Sequence, residues 1–130
     1  MTVRFSKFTM MICIGCVAAS VSHAAVSTRD SYQYTQCLQR IESDPNGAFN
    51  QALAWGDEGG GAAAEHCASL ALLALGQEED AALRLERVAI SPGAGDEWDR
   101  AEILAQAGQA WIAAGRPEEA DTVISSAIEL

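Results

Sequence analysis

Lysine is all but missing. The 130-residue chain has one, Lys7, alongside seven arginines and 18 Asp and Glu. Removing residues 1–24 removes Arg4 and Lys7 and takes the net charge from −10 to −12. The remaining 106 residues hold six arginines, no lysine and all 18 acids. A nucleic-acid surface needs a basic footprint, and an anionic membrane surface attracts basic segments. This balance argues strongly against nucleic acid and also against an anionic membrane surface. A membrane span is also missing from residue 25 onward, since no apolar stretch there approaches the length a bilayer requires. Calcium loops need alternating acids around a central glycine, and none occurs. No glycine-rich phosphate loop and no Ser-His-Asp set stands out. Carboxylates are plentiful, but nothing singles out a catalytic pair.

The first residues read as an address. Arg4 and Lys7 give a basic start, Met10 to Val21 is uncharged, and Ser22-His23-Ala24 offers a small-x-small cleavage site. That order describes a secretory signal over residues 1–24, cut after Ala24, and predicts a periplasmic or secreted protein. Cys13 and Cys16, a C-x-x-C pair, then leave with the signal. The alternative is a lipoprotein signal with Cys16 as the lipid-bearing residue, preceded by Gly15. Cys13 stands where such signals usually carry an aliphatic residue, and the apolar run continues past Cys16. A thioredoxin-like redox site would need a βαβ setting, and no strand pattern surrounds these cysteines.

Two cysteines remain, Cys37 and Cys67. In an exported chain an isolated pair reads first as a disulfide. Free buried thiols come second. A metal or catalytic role for His66-Cys67 comes last, because adjacent helical residues do not face each other.

From residue 30 on, apolar residues recur at helical spacing. Tyr34, Cys37, Leu38 and Ile41 share one face. Asp44-Pro45 reads as an N-cap followed by proline at the first helical position. Ala48, Ala52 and Trp55 mark the next inner face, and GDEGGG, residues 56–61, predicts a break. A second unit runs over 62–90. Cys67, Leu70 or Ala71, and Ala74 carry its first helix, Gly76 ends it, and Ala81, Leu85 and Val88 line the return helix. After SPGAG, a third unit covers 97–130. Asp96 and Asp99 suggest a capping box. Leu104, Ala107, Gly108 and Trp111 share a face, Gly115 stops the helix, and Ala120, Ile124 and Ala127 face back. Glu78, Glu79, Asp80, Glu97, Asp99, Glu118 and Glu119 open helices, with Glu65 placed in a first turn, so dipole stabilisation accounts for most of the acidity. Trp55 and Trp98 are assigned to packing near the loops. The expected fold is all-α, a short α-solenoid of about three antiparallel helix hairpins over residues 30–130, with units near 30–56, 62–90 and 97–130 and a short lead at 25–29. Ala48 to Ala81 spans 33 residues and Ala81 to Ala120 spans 39, periods typical of helix-pair repeats.

The segment LAQAGQAWIAAGRPEEADTVISSAIEL resembles a tetratricopeptide repeat. Ala107-Gly108 stands where two helices approach closely, Trp111 takes a large aromatic position, Gly115 occupies the turn, and Ala120 and Ala127 are the small residues of the second helix. Ile124 replaces an aromatic and Leu104 a tryptophan. Ser69, Leu72, Gly76, Ala81 and Leu85 match in the second unit, where Val88 replaces an alanine. The first unit matches only in its second helix. The resemblance implies a protein-interaction scaffold that binds a protein or peptide through the face formed by the first helix of each repeat. Carried over by position, Ala63, His66, Leu70 and Leu73, with Glu102, Ala105, Gln109 and Ile112, would line that groove. Leu70 and Leu73 are the ones most suited to packing between helices. No lysine is available to clamp a terminal carboxylate, so a basic segment with apolar anchors is the expected partner. No catalytic, cofactor or metal role is expected. A repeat array also needs a polar cap, and none follows Leu130, so Val123, Ile128 and Leu130 are expected to form an apolar strip that contacts a second copy or a partner. The alternative function is an envelope lipoprotein subunit of a membrane-associated assembly; a third is an enzyme or metal protein using His66 and Cys67.

Overall fold

The computed structural model describes residues 28–130. The signal over 1–24, the cut after Ala24, Cys13, Cys16 and most of the 25–29 lead lie outside the described residues. Six α-helices follow: α1 Thr28–Ser43, α2 Pro45–Trp55, α3 Gly61–Ala74, α4 Glu78–Ala89, α5 Glu97–Ala113 and α6 Pro117–Ile128. No strand occurs among the described residues, so the chain is all-α.

Local chemistry sets the helix ends. Asp44 caps α2, its Oδ1 accepting from the Gly47 N–H at 2.8 Å, with Pro45 in the first turn. Asp96 and Asp99 close a reciprocal box at the start of α5: Asp99 N–H donates to Asp96 Oδ1 at 3.0 Å, and Asp96 N–H to Asp99 Oδ2 at 3.1 Å. α3 and α5 end alike. Gly76 N–H donates to Leu73 O and Gln77 N–H to Leu72 O. Gly115 N–H donates to Ile112 O and Arg116 N–H to Trp111 O. These paired bonds are the Schellman pattern, and they need a left-handed residue, which glycine supplies at φ 71° and 74°.

GDEGGG is the break between α2 and α3, as its composition predicts. Gly56–Gly60 forms one π-helical turn that carries α2 almost directly into α3. Gly59, at φ 98°, makes the kink within it. A consequence is that Glu65 sits beyond the first turn of α3, contrary to expectation. Its carboxylate instead accepts from Arg84 of α4 at 2.6 Å.

Each helix packs on the next in chain order, and α1 also touches α3. Two cores result. The larger, from α4, α5 and α6, holds Leu85, Val88, Ile103, Leu104, Trp111 and Val123. The smaller, from α1, α2 and α3, consists of Cys37, Ala52, Cys67 and Ala68, with Tyr34, Leu38, Ile41, Phe49 and Leu53 packed around it. The helical spacing places Ala48, Ala52 and Trp55 inside, together with Ala81, Leu85 and Val88, and with Leu104, Ala107, Gly108 and Trp111; all are buried. On α6 the inner face is rotated by one residue: Ala120 and Val123 are buried, while Ile124 lies at the edge. Ile124 still matters, because a Cβ added at Gly108 would lie 2.5 Å from its Cγ1. Gly108 is therefore a point of close approach between α5 and α6, where a side chain would collide with Ile124 as it stands.

Candidate functional site

The first helices of the three expected units, α1, α3 and α5, are tied together by one side-chain chain. His66 of α3 sits between Tyr34 of α1 and Gln106 of α5. Its Nδ1 lies 2.6 Å from the Tyr34 hydroxyl and its Nε2 lies 2.7 Å from Gln106 Oε1. An amide oxygen only accepts, so Nε2 carries the proton and donates, and Nδ1 accepts from the tyrosine O–H. The Tyr34 and His66 rings also stack, with centroids 5.9 Å apart. Burial, and after it the carboxylate of Glu102, pushes the Tyr34 phenol pKa above its ordinary value. The hydroxyl thus keeps its proton and remains a donor.

Beside this chain, Tyr34, His66, Glu102, Ile103 and Gln106 line a small cavity of about 230 Å³. Along α5, Trp98, Glu102, Ala105, Gln109 and Ile112 fall at alternating four- and three-residue steps, one stripe of the helix. Ala105 is half-buried and the other four are exposed. On α3, Ala63, His66, Leu70 and Leu73 are all half-buried. Leu73 packs against the larger core, so it contributes more to holding the helices than to a free surface.

Cys37 and Cys67 lie at disulfide-bonding distance, with Cα atoms 6.3 Å apart, and join α1 to α3. The pair is fully buried. With both ring nitrogens of His66 engaged and Cys67 in the pair, the His66-Cys67 step offers no free nucleophile–base arrangement. No group of three or more His, Cys, Asp or Glu is placed to hold a metal among the described residues. No described helix is long and apolar enough to cross a membrane.

Two expectations need correction. Val123 does not join an exposed strip at the C-terminal end: it is 5% exposed and packs in the α4–α6 core. Ile128, at 81%, and Leu130 are exposed. The physical reason is the one-residue rotation of α6, which spends Val123 on the contact with α5. Trp98 is not a packing residue; it is 79% exposed. Trp55 does pack, at the end of α2. Sequence reasoning also missed Gln106. A glutamine one turn from an expected groove residue carries no signal of its own, and its partner is 40 positions away.

A larger cleft of about 810 Å³ lies among α2, the π-helical turn, α3 and α4, lined by Leu53, Asp57, Glu65, Arg84, Arg87 and Pro92. Arg84 is already committed there, to Glu65 and to the face of Phe49 at 5.8 Å.

No family model matches the chain, and neither a curated protein nor a solved structure matches it.

Proposed function

We propose that this chain is an exported adaptor of the tetratricopeptide type, a short α-solenoid that binds a partner protein or peptide on the shared face of α1, α3 and α5 and performs no chemistry of its own. The observation that carries this reading is a recurrence. The same glycine-based turn joins α3 to α4 at Gly76 and α5 to α6 at Gly115, 39 residues later, and the following helices begin 39 residues apart, at Glu78 and Pro117. Stacking of each helix on the next supports it, as does the close approach at Gly108. The Tyr34–His66–Gln106 chain supports a common face for the three first helices. Glu102, Gln109 and Ile112 are exposed on it, and Trp98 extends their stripe. The net charge of −12 beyond residue 24 favours a basic partner segment, with Trp98 and Ile112 offered to apolar anchors.

Export through the 1–24 signal into an oxidising compartment is part of the same reading, in keeping with a buried cysteine pair. The test is site-directed photo-crosslinking in intact cells, with the probe at Gln109 on the proposed face and at Glu58 on the π-helical turn. The reading expects a defined adduct from Gln109, absent from Glu58 and lost on Ile112→Asp. Adducts from Glu58 alone would move the interface elsewhere. Mass spectrometry of the purified protein supplies the second arm: a chain starting at residue 25 supports export and cleavage, and a lipid-bearing Cys16 replaces that reading with the envelope lipoprotein.

A further inference from the structure

α1 is held differently from every other helix. Between residues 30 and 43 it has one buried residue, and that residue is Cys37. Tyr34, Leu38 and Ile41 are half-buried around it. Its remaining ties to α2 and α3 are polar: Tyr34 to His66 and Arg40 to Gln51. A helix of this length is marginal without tertiary packing. The core it docks on is centred on Ala52, Ala68 and the cysteine pair, with Phe49 and Leu53 packed around it, so without the covalent link only small buried side chains and half-buried apolar ones hold α1 in place. α5, by contrast, buries Ile103, Leu104, Ala107, Ala110 and Trp111.

We infer that the Cys37–Cys67 bond is a redox latch on α1, and that the face proposed to bind a partner is complete only in the oxidised protein. This rests on the reading under Proposed function for its consequence, though not for its structural content. α1 supplies the Tyr34 wall of the small cavity and the donor to His66 Nδ1. When α1 lifts, that wall and that bond go together, while α4, α5 and α6 keep their own core. A dithiol reductant drives the change. One of its thiolates attacks a cystine sulfur and releases the other cysteine; its second thiol then resolves the mixed disulfide. Cys37 and Cys67 end as thiols, having gained two electrons and two protons, and the reductant ends as a cyclic disulfide. Both cysteines are 0% exposed, so attack requires α1 to open first. A closed latch therefore protects itself.

The experiment is hydrogen exchange followed by mass spectrometry on the chain from residue 25, oxidised and after full reduction by a dithiol under anaerobic conditions. The latch expects amides of α1 to exchange about a hundredfold faster on reduction, the scale of a typical disulfide contribution, and those of α5 to change by no more than about twofold. The double variant Cys37→Ala/Cys67→Ala is expected to match the reduced protein. Tyr34→Phe, with the disulfide intact, is expected to keep α1 protected, which separates the covalent link from the hydrogen bond. Equal protection of α1 in both redox states overturns the latch. Simultaneous loss of protection in α1 and α5 overturns it too, since the bond would then support the whole molecule. None of these readouts needs the partner, so failure of the adaptor reading leaves the exchange result intact, and failure of the exchange result leaves the crosslinking test standing.

Discussion

The two halves of the molecule are built on different principles. From α4 to α6 the core is filled by Leu85, Val88, Ile103, Leu104, Trp111 and Val123, and Trp111 adds a bond from its indole N–H to Glu86 Oε1 at 2.6 Å. From α1 to α3 the buried cluster that joins all three helices is two alanines and a cysteine pair, while Trp55 and Leu72 are buried on α2 and α3. Large side chains supply hydrophobic stabilisation of about 1.5–3 kcal/mol each when fully buried; alanines supply far less. Where α1 docks, the small residues are supplemented by a cysteine pair at disulfide distance, 30 positions apart in the chain. One continuous stack of helices can thus change how it is held together partway along, and the proposed latch places any redox response at the α1 end.

The largest effect is expected at Trp111. Trp111→Ala is expected to lower stability by about 3–5 kcal/mol, and chemical denaturation should show α4–α6 unfolding as a unit. Cys67→Ser should cost about 2–4 kcal/mol, with the loss concentrated in α1 when followed by amide exchange. If the two variants gave the same residue-by-residue exchange pattern, the halves would not be distinct.

Gly108→Ala sharpens the contact between α5 and α6. The new Cβ would crowd Ile124 Cγ1 and Cδ1, at 2.5 and 2.8 Å. Overpacking of this kind costs about 1–3 kcal/mol, and helix propensity returns about 1 kcal/mol, so a net loss of about 1 kcal/mol is expected in thermal melts. In an Ile124→Ala background the same change should become neutral or stabilising. Asp96→Ala, which removes the α5 cap, should cost about 1 kcal/mol, with faster exchange in the first turn of α5.

The smallest effect is on the acid side of the first half. The Gly47 N–H, and after it Arg40, hold the Asp44 carboxyl below its ordinary range. A depressed carboxyl pKa contributes stability that is present above the unfolded value, near 3.9, and is lost as pH falls through the folded one. An acid titration followed by far-ultraviolet circular dichroism should therefore show a shallower loss in Asp44→Asn than in the parent chain. An unchanged slope would remove Asp44 from the account of acid sensitivity.

Much of the fold was legible because the signals were local. Asp44-Pro45, the Asp96–Asp99 box, Gly76 and Gly115 mark helix ends through bonds that span three to five residues. The inward positions of α2, α4 and α5 follow from helical period alone. What escaped was decided at longer range or by small rotations. Val123 and Ile124 are adjacent and both apolar, so period alone could not say which faces α5. Trp98 lies at the start of α5, where nothing packs over it, and composition cannot distinguish an uncovered tryptophan from a covered one.

The residue pattern alone marked the caps and glycine turns that end several helices, the acidic character that disfavours nucleic acid, and the choice of Cys37 and Cys67 as the pair to watch. These depend on neighbouring residues or on composition. Only the tertiary fold decided that Cys37 would be the one buried side chain among residues 30–43 of α1, and that His66 would bridge Tyr34 and Gln106 across separations of 32 and 40 residues. Those outcomes depend on how three helices stack, and no local pattern records the angle at which one helix meets the next.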